Sequence, residues 1–195
     1  MRRRSLLACA ALALMAGVAP AAAADDAALW QLLRAGGQVI MLRHAGTDRT
    51  FADPPGFRLD DCATQRNLTA QGREQARRLG EVFQARGVVV GRVLSSQWCR
   101  CLETARLAFG RVEPWPALNG GPRDAERVAA RVRDVRALLA TPPVGGNLVL
   151  VTHGFNIRDT IGDIPAEGGL VVFTPLEGGR FTVAGRLAPA DLTVP

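Results

Sequence analysis

The chain is 195 residues long, has a formal net charge of +6 and is 48% hydrophobic, so it is long enough for one domain with a full core. Every basic residue is an arginine, and the arginines are spread along segments with helical patterning. They form no basic tail, and beyond the N-terminus the sequence contains no repeat or low-complexity segment.

Residues 1–24 have the pattern of a secretory signal peptide, with a basic start at residues 2–4 and an apolar stretch at residues 6–18. We predict that cleavage near Ala24 leaves a single domain over residues 25–195, in the periplasm or outside the cell. The apolar stretch is short for a membrane span, so no stable membrane anchor is expected. Without the leader arginines the net charge falls to about +3, which is too mild to indicate nucleic acid as a partner.

Three cysteines remain after the predicted leader: Cys62, Cys99 and Cys101. Cysteines of exported proteins usually form disulfides, and Cys62 can pair with either of the other two. The spacing between Cys99 and Cys101 is not that of a CxxC motif, and the sequence has no second pair. Neither a zinc site nor a redox motif is therefore indicated.

The first helix is predicted over residues 27–34, where apolar residues recur at helical spacing. Residues 39–42 are an uninterrupted apolar run that leads into Arg43 and His44, which is typical of a central strand buried on both faces. Residues 45–66 contain prolines, glycines and charges and form a long loop. Loops of this length are usually functional, so we expect this one to form a wall or lid of a site at the end of the strand.

Two helices and a short strand follow this loop. Thr69 has the pattern of an N-cap for the first of these helices. Residues 92–96 indicate the strand, and residues 97–109 indicate a helix whose first turn carries Arg100. The last two residues of the strand are serines, and we expect them to cap that helix. Arg100 would then lie beside free backbone N–H groups, where anions bind readily.

The last part of the chain continues the alternation of strands and helices. Residues 112–118 contain two prolines and indicate an edge strand, and residues 122–139 indicate an amphipathic helix with proline in its opening turn. Residues 147–152 are a second apolar run, which ends in His153, and a hairpin over residues 170–183 closes the chain. This pattern predicts an α/β fold, a three-layer α/β/α sandwich with a mostly parallel central sheet.

Both histidines of the chain directly follow apolar strands, and Arg43 and Arg100 also lie at strand ends. Ligands of open α/β sheets bind beyond the carboxyl ends of the strands. The sequence has no GxSxG motif, no P-loop and no cluster of metal ligands, which narrows the chemistry. A phosphate monoester would use all four residues: His44 can attack phosphorus, while Arg43, Arg100 and His153 hold the oxygens. The arginines would neutralise the charge without a metal or a cofactor.

These segments resemble the motifs of the histidine phosphatase superfamily, which has the phosphoglycerate mutase-like fold. The similar segments are Arg43-His44-Ala45, Leu94-Ser95-Ser96 with Arg100 and Glu103-Thr104-Ala105, and Val151-Thr152-His153-Gly154, with Asn67-Leu68-Thr69 and Gly72 between the first two. The match is collinear from Val39 to about Gly162. The resemblance implies that His44 is the phosphorylated residue, that Arg43 and Arg100 bind phosphate, and that His153 is the second histidine of the pocket.

Two departures from the family pattern bear on function. Ala45 stands where the first motif usually has glycine, and alanine restricts the backbone more than glycine does. The acid that protonates the leaving group in family members has no obvious counterpart here. Glu167 is the candidate proton donor, and Asp163 and Asp48 are the alternatives.

We therefore predict an exported, metal-independent phosphomonoesterase that forms a phosphohistidine on His44, in the small branch of the family that lacks a cap domain. Its substrate would be a small phosphorylated molecule or a phosphorylated glycan. The alternative is a noncatalytic protein that binds phosphate or phosphorylated glycans on the same fold, and Ala45 and the missing donor motivate it. Binding alone would not need His44 as a nucleophile, so the presence of both histidines favours the enzyme.

Overall fold

The computed structural model describes residues 26–50, 52–121 and 124–194. The predicted signal peptide lies outside these residues, so its cleavage and the resulting domain boundary stay predictions. In the described part of the chain, no helix is both long enough and apolar enough to cross a membrane.

A six-stranded sheet forms the centre of the molecule, with the strand order β3-β2-β4-β1-β5-β6. The first four strands of that order are parallel to one another, and β5 and β6 run antiparallel as the predicted closing hairpin. The predicted mostly parallel α/β sheet is thereby confirmed. The strands are β1 (Val39–Arg43), β2 (Val90–Ser95), β3 (Glu113–Pro114), β4 (Asn147–Thr152), β5 (Leu170–Leu176) and β6 (Arg180–Leu187).

Helices cover both faces of this sheet. They are α1 (Asp26–Ala35), α2 (Ala70–Ala85), α3 (Cys99–Phe109), α4 (Ala125–Leu139) and α5 (Gly154–Ile161). The first three pack with Ile40 and Leu42 of β1, whereas α4 and α5 pack with Val39 and Met41. Because successive strand residues point to opposite faces, a strand covered on both sides is apolar throughout. This explains the uninterrupted apolar run before Arg43.

The N-cap predicted for α2 is confirmed, since Thr69 Oγ1 accepts the backbone N–H of Gly72 at 2.9 Å. The caps predicted for α3 are wrong. That helix begins at Cys99 after Trp98, and neither serine caps it. The N–H of Cys99 donates instead to Gln65 Oε1 (2.9 Å), while Ser96 Oγ contacts His153 (2.9 Å) and accepts only the Trp98 N–H before the helix (3.3 Å).

Two other predicted boundaries also differ from the structure. Helix α4 begins at Ala125, where Asp124 Oδ1 accepts the N–H of Arg127 at 3.0 Å, so it starts later than the predicted residue 122. The proline expected in its opening turn lies outside the described residues. In the predicted edge strand only β3 pairs with the sheet, and a short 3-10 helix, Pro116–Leu118, follows it.

Candidate active site

The predicted site residues meet beyond the carboxyl ends of three neighbouring strands. His44 follows β1, His153 follows β4, and Arg100 lies in the first turn of α3, which follows β2. Because β1 and β4 are adjacent and parallel, the two histidines lie side by side, with ring centroids 5.5 Å apart. All three side chains are buried, with 3% of His44, 1% of His153 and 4% of Arg100 exposed.

His44 is held in one orientation by backbone contacts. Its backbone N–H donates to Thr152 O (2.9 Å), and its ring Nδ1 donates to Ala45 O (2.9 Å). A carbonyl can only accept, so Nδ1 carries the proton and Nε2 keeps its lone pair. His44 is therefore positioned as a nucleophile through Nε2.

The His44 ring is also kept neutral. Burial, together with the positive charges of Arg100, Arg43 and Arg66, lowers the pKa of His44 to about 3, although the bond to Ala45 acts in the opposite direction. A neutral imidazole has a free lone pair, which attack on phosphorus requires. The site therefore keeps His44 reactive at neutral and mildly acidic pH.

Ala45 fits its position without backbone strain. Its N–H donates to Thr104 Oγ1 (3.0 Å), and Thr104 in turn donates to Arg100 O (2.7 Å). No residue other than glycine has a positive φ in the described part of the chain, so Ala45 does not need the conformational freedom of glycine. The departure from the family motif gives no support to the noncatalytic alternative.

His153 belongs to a hydrogen-bond chain that fixes its tautomer. Arg100 Nη2 lies 3.4 Å from its Nδ1, and Ser96 Oγ lies 2.9 Å from its Nε2. Because an arginine can only donate, Nδ1 accepts and Nε2–H donates to Ser96, whose hydroxyl donates to Asn119 Oδ1 (3.2 Å). Burial, and next the charge of Arg100, lower the pKa of His153 well below its ordinary value.

Arg43 lies at the edge of the cluster, where two loop residues hold it. Its Nη1 donates to Pro165 O (2.8 Å), and its Nη2 lies 3.5 Å from Glu167 Oε1. Its backbone N–H donates to Gly169 O (3.0 Å). Burial lowers the pKa of Arg43, and the charge of Glu167 opposes that shift.

The structure separates the three candidate proton donors. Glu167 lies beside Arg43, and its carboxylate also accepts the hydroxyl (2.9 Å) and the N–H (3.2 Å) of Thr47. Asp163 pairs with Arg186 at 2.7 Å between partly exposed side chains. Asp48 is exposed and accepts from Thr50. Of these three carboxylates, only Glu167 contacts one of the predicted site residues through a hydrogen bond in the structure.

Two residues of the site were not predicted from the sequence: Arg66 and Asp53. The charge of Arg66 lowers the pKa of both histidines and of Arg43, and its carbonyl accepts from Arg100 Nη1 (3.3 Å). Asp53 Oδ1 accepts from that same Nη1 at 2.9 Å. Arg66 could have been predicted from its position directly before Asn67-Leu68-Thr69, because that segment resembles the family motifs.

Arg43, Arg66 and Arg100 share an unusual feature. In each, the Nε atom is buried and has no hydrogen-bond partner in the structure. Buried donors are normally paired, and guanidinium groups that keep free donors side by side suit an anion with several oxygens. In the described residues, no group of three or more His, Cys, Asp or Glu side chains is arranged to hold a metal ion.

The loop between β1 and α2 forms a wall of the site, as predicted. Phe57 packs on Trp98 with ring centroids 4.3 Å apart, and the guanidinium carbon of Arg100 lies 4.5 Å from the centroid of the same tryptophan. A disulfide joins Cys62 of this loop to Cys99, the first residue of α3. The sequence had left Cys99 and Cys101 open as partners, and the structure selects Cys99, leaving Cys101 as a buried free thiol.

Comparisons with known proteins agree with this architecture. Residues 39–120 match the family model of the histidine phosphatase superfamily (branch 1). Among solved structures, Rv3214 from Mycobacterium tuberculosis is 19% identical, with a TM-score of 0.58 over 75% of this chain and 95% of its own. YhfR from Bacillus stearothermophilus is 18% identical, with a TM-score of 0.59 over 76% of this chain and 95% of its own.

The protein histidine phosphatase SixA, solved in complex with tungstate, is a third similar structure. It is 20% identical, with a TM-score of 0.53 over 80% of this chain and 99% of its own. At such identities these structures show a shared fold, and they confirm the predicted phosphoglycerate mutase-like class. The comparison with curated proteins gives no match.

Proposed function

We propose that this chain, whose residues 39–120 match the family model of the histidine phosphatase superfamily, is a phosphomonoesterase that transfers phosphate first to His44 and then to water. The observation that carries the proposal is the combination of a neutral His44, with Nε2 unprotonated, and three arginines whose Nε donors have no partner. A nucleophile and a set of anion donors in one buried site are what phosphoryl transfer needs.

In the first step the lone pair of His44 Nε2 forms a bond to phosphorus while the bond to the ester oxygen breaks. Arg43, Arg66 and Arg100 neutralise the phosphate oxygens, and this charge stabilisation is the role that a metal plays in other phosphatases. The hydrogen bond from Nδ1 to Ala45 O stabilises the positive ring that forms. Water then attacks phosphorus and loses a proton to solvent, the bond between Nε2 and phosphorus breaks, and inorganic phosphate and neutral His44 result.

His153 would assist phosphoryl transfer by binding a phosphate oxygen. Its Nδ1 faces Arg100, and the other nitrogen is held by Ser96. Binding of a phosphate dianion favours proton uptake on Nδ1, because an anion nearby stabilises the charged imidazolium. His153 can then donate a hydrogen bond to a phosphate oxygen.

Tungstate is a tetrahedral oxyanion of phosphate-like shape, and its presence in the SixA structure agrees with an oxyanion site on this fold. The substrate class that we propose is a small phosphate ester or a phosphorylated glycan, with the enzyme exported to the periplasm or beyond. Export rests on the sequence pattern of residues 1–24 alone. The noncatalytic alternative is not favoured, since Ala45 is unstrained.

A generic aryl phosphate tests this function. The purified protein would be mixed with 4-nitrophenyl phosphate and quenched in denaturant at neutral to alkaline pH, and its intact mass would be measured beside that of His44→Ala. We expect turnover and a gain of one phosphoryl group in the wild type only. An active His44→Ala variant would show that the nucleophile is another residue. An inactive wild type that still binds vanadate would favour the noncatalytic protein.

A further inference from the structure

Asp53 contacts Arg100 more directly than Glu167, Asp163 or Asp48 does. Arg100 Nη1 and the backbone N–H of Arg66 both donate to its Oδ1, each at 2.9 Å. We propose that Asp53 is the acid that protonates the leaving oxygen, and that in the free protein its carboxylate takes the place of phosphate on Arg100. This inference rests on the proposed function.

The position of Asp53 suits that role. Its side chain is 17% exposed, whereas that of its partner Arg100 is 4% exposed, and the two histidines are more deeply buried still. Asp53 therefore lies on the solvent side of the arginine. In-line transfer to a buried His44 places the leaving oxygen on the opposite, outer side of phosphorus. Asp53 is on the side where the leaving group departs.

Substrate binding would convert Asp53 from a partner of Arg100 into an acid. A phosphate dianion carries more charge than a carboxylate and can bind several guanidinium groups at once, so it displaces Asp53 from Arg100. The displaced carboxylate then lies beside an anion. Because like charges repel, a carboxyl group in that position takes up a proton from solvent. The acid is thus formed only when substrate is present.

The proton balance is complete with these groups and solvent. In the first step His44 Nε2 bonds to phosphorus, the bond between phosphorus and the ester oxygen breaks, and the carboxyl proton of Asp53 moves to that oxygen, releasing the alcohol. In the second step water attacks phosphorus and its proton passes to solvent. The bond between His44 and phosphorus breaks, and its electron pair returns to Nε2, so that neutral His44, the Asp53 carboxylate and inorganic phosphate result.

The donors considered from the sequence are less suited to this role. The Glu167 carboxylate accepts from Arg43 and from both donors of Thr47, so its oxygens are already used to orient Arg43 and the loop. Asp163 pairs with Arg186 at the surface, and Asp48 is exposed and accepts from Thr50 rather than from Arg43, Arg66 or Arg100. Asp53 combines contact with Arg100 and a place at the mouth of the site.

The test compares Asp53→Asn with wild type on esters whose leaving groups need different amounts of protonation. Asparagine keeps an oxygen that can accept the Arg66 N–H, so the loop is expected to stay folded. On 4-nitrophenyl phosphate, whose leaving group departs without a proton, kcat should change less than about threefold. On a simple alkyl phosphate kcat should fall by roughly 100-fold, the usual contribution of a general acid. Vanadate should bind Asp53→Asn at least as tightly as wild type, because its competitor on Arg100 has lost its charge.

Matched variants make the result decisive. Asp163→Asn should behave as wild type on both esters, and Glu167→Gln should lose activity on both esters by a similar factor, because it acts through Arg43. An equal loss on both esters in Asp53→Asn, no loss on the alkyl ester, or weaker vanadate binding would overturn the role of Asp53 while leaving the phosphatase intact. A wild type that forms no phosphohistidine would instead overturn the proposed function, and this proposal with it.

Discussion

Polar side chains are buried at both ends of the parallel strands, but the two ends differ in whether those side chains have hydrogen-bond partners within the protein. At the amino ends, Asn147 is fully buried, and its Nδ2 donates to the carbonyls of Leu33 and Val89 (2.7 and 2.9 Å) while its Oδ1 accepts the Gln38 N–H (3.1 Å). At the carboxyl ends the buried polar groups include charged and titratable ones, and three arginine Nε donors have no partner.

The difference shows that buried polarity alone does not identify a site. A neutral amide whose hydrogen bonds are all made within the protein fixes how elements pack, and it leaves nothing for a ligand to bind. Charged donors that stay buried and unpaired lower stability, and several of them around buried histidines persist where a ligand uses them. We therefore expect substitutions at the amino ends to change stability, and substitutions at the carboxyl ends to change activity.

The largest effect expected from this comparison is that of Arg66→Ala. Removing one of the three guanidinium groups around the phosphate should lower kcat/KM by roughly 100-fold to 1,000-fold, with little change in the melting temperature. Arg86→Ala is the matched control, because its Nε is also buried without a partner but its guanidinium lies over Trp30 on another part of the molecule. Equal activity of the two variants would remove Arg66 from the site.

Asn147→Ala should have the opposite profile. The change leaves the Gln38 N–H without its acceptor and removes the two bonds that Asn147 Nδ2 donates to the Leu33 and Val89 carbonyls, which should lower the free energy of unfolding by about 3 kcal/mol. The activity of the folded fraction should stay near that of wild type. Urea unfolding together with assays below the transition would measure both, and a selective loss of kcat would contradict the division between the two ends.

Acidification from neutral pH to about pH 5 should destabilise the protein through the histidines at the carboxyl ends of the strands. An unfolded histidine binds a proton near its ordinary pKa of 6.5, whereas native His44 does so only at about 3. The stability contributed by neutral His44 is complete above about pH 6.5 and is lost as the pH falls, by about 2 kcal/mol at about pH 5. Thermal unfolding measured between neutral and acidic pH would show this dependence of stability on pH, and His44→Asn should make the dependence weaker. An unchanged dependence in that variant would contradict the lowered pKa.

The smallest effect on activity is expected at Thr104, a neutral residue near the carboxyl ends of the parallel strands. Thr104→Val keeps the shape but leaves the Ala45 N–H without its acceptor, and Ala45 O orients the His44 ring. We expect kcat to fall by about tenfold, with a loss of about 1 kcal/mol in stability. Thr104→Ser keeps the hydroxyl and should restore kcat. If valine and serine give the same rate, the contact does not position His44.

The parts of the molecule that local patterns determine were predicted well. The apolar runs of β1 and β4 and the Thr69 cap depend on neighbouring residues, and the histidines at the strand ends follow from the topology. Arg66 and Asp53 could not be placed, because their positions depend on how residues 45–66 fold back over the strand ends. The serine caps of α3 failed for a similar reason, since Ser96 binds a histidine 57 residues away.

The buried thiol of Cys101 has a consequence for the durability of the disulfide. Disulfides are exchanged by thiolates, and burial raises the pKa of Cys101 to about 12, so its reactive form is scarce at neutral pH. Although Cys101 is only two residues from Cys99, it cannot readily attack the bond to Cys62 while the protein is folded. Once the bond between Cys62 and Cys99 has formed, exchange to a bond between Cys62 and Cys101 is therefore slow. Such an exchange requires the protein to unfold around α3.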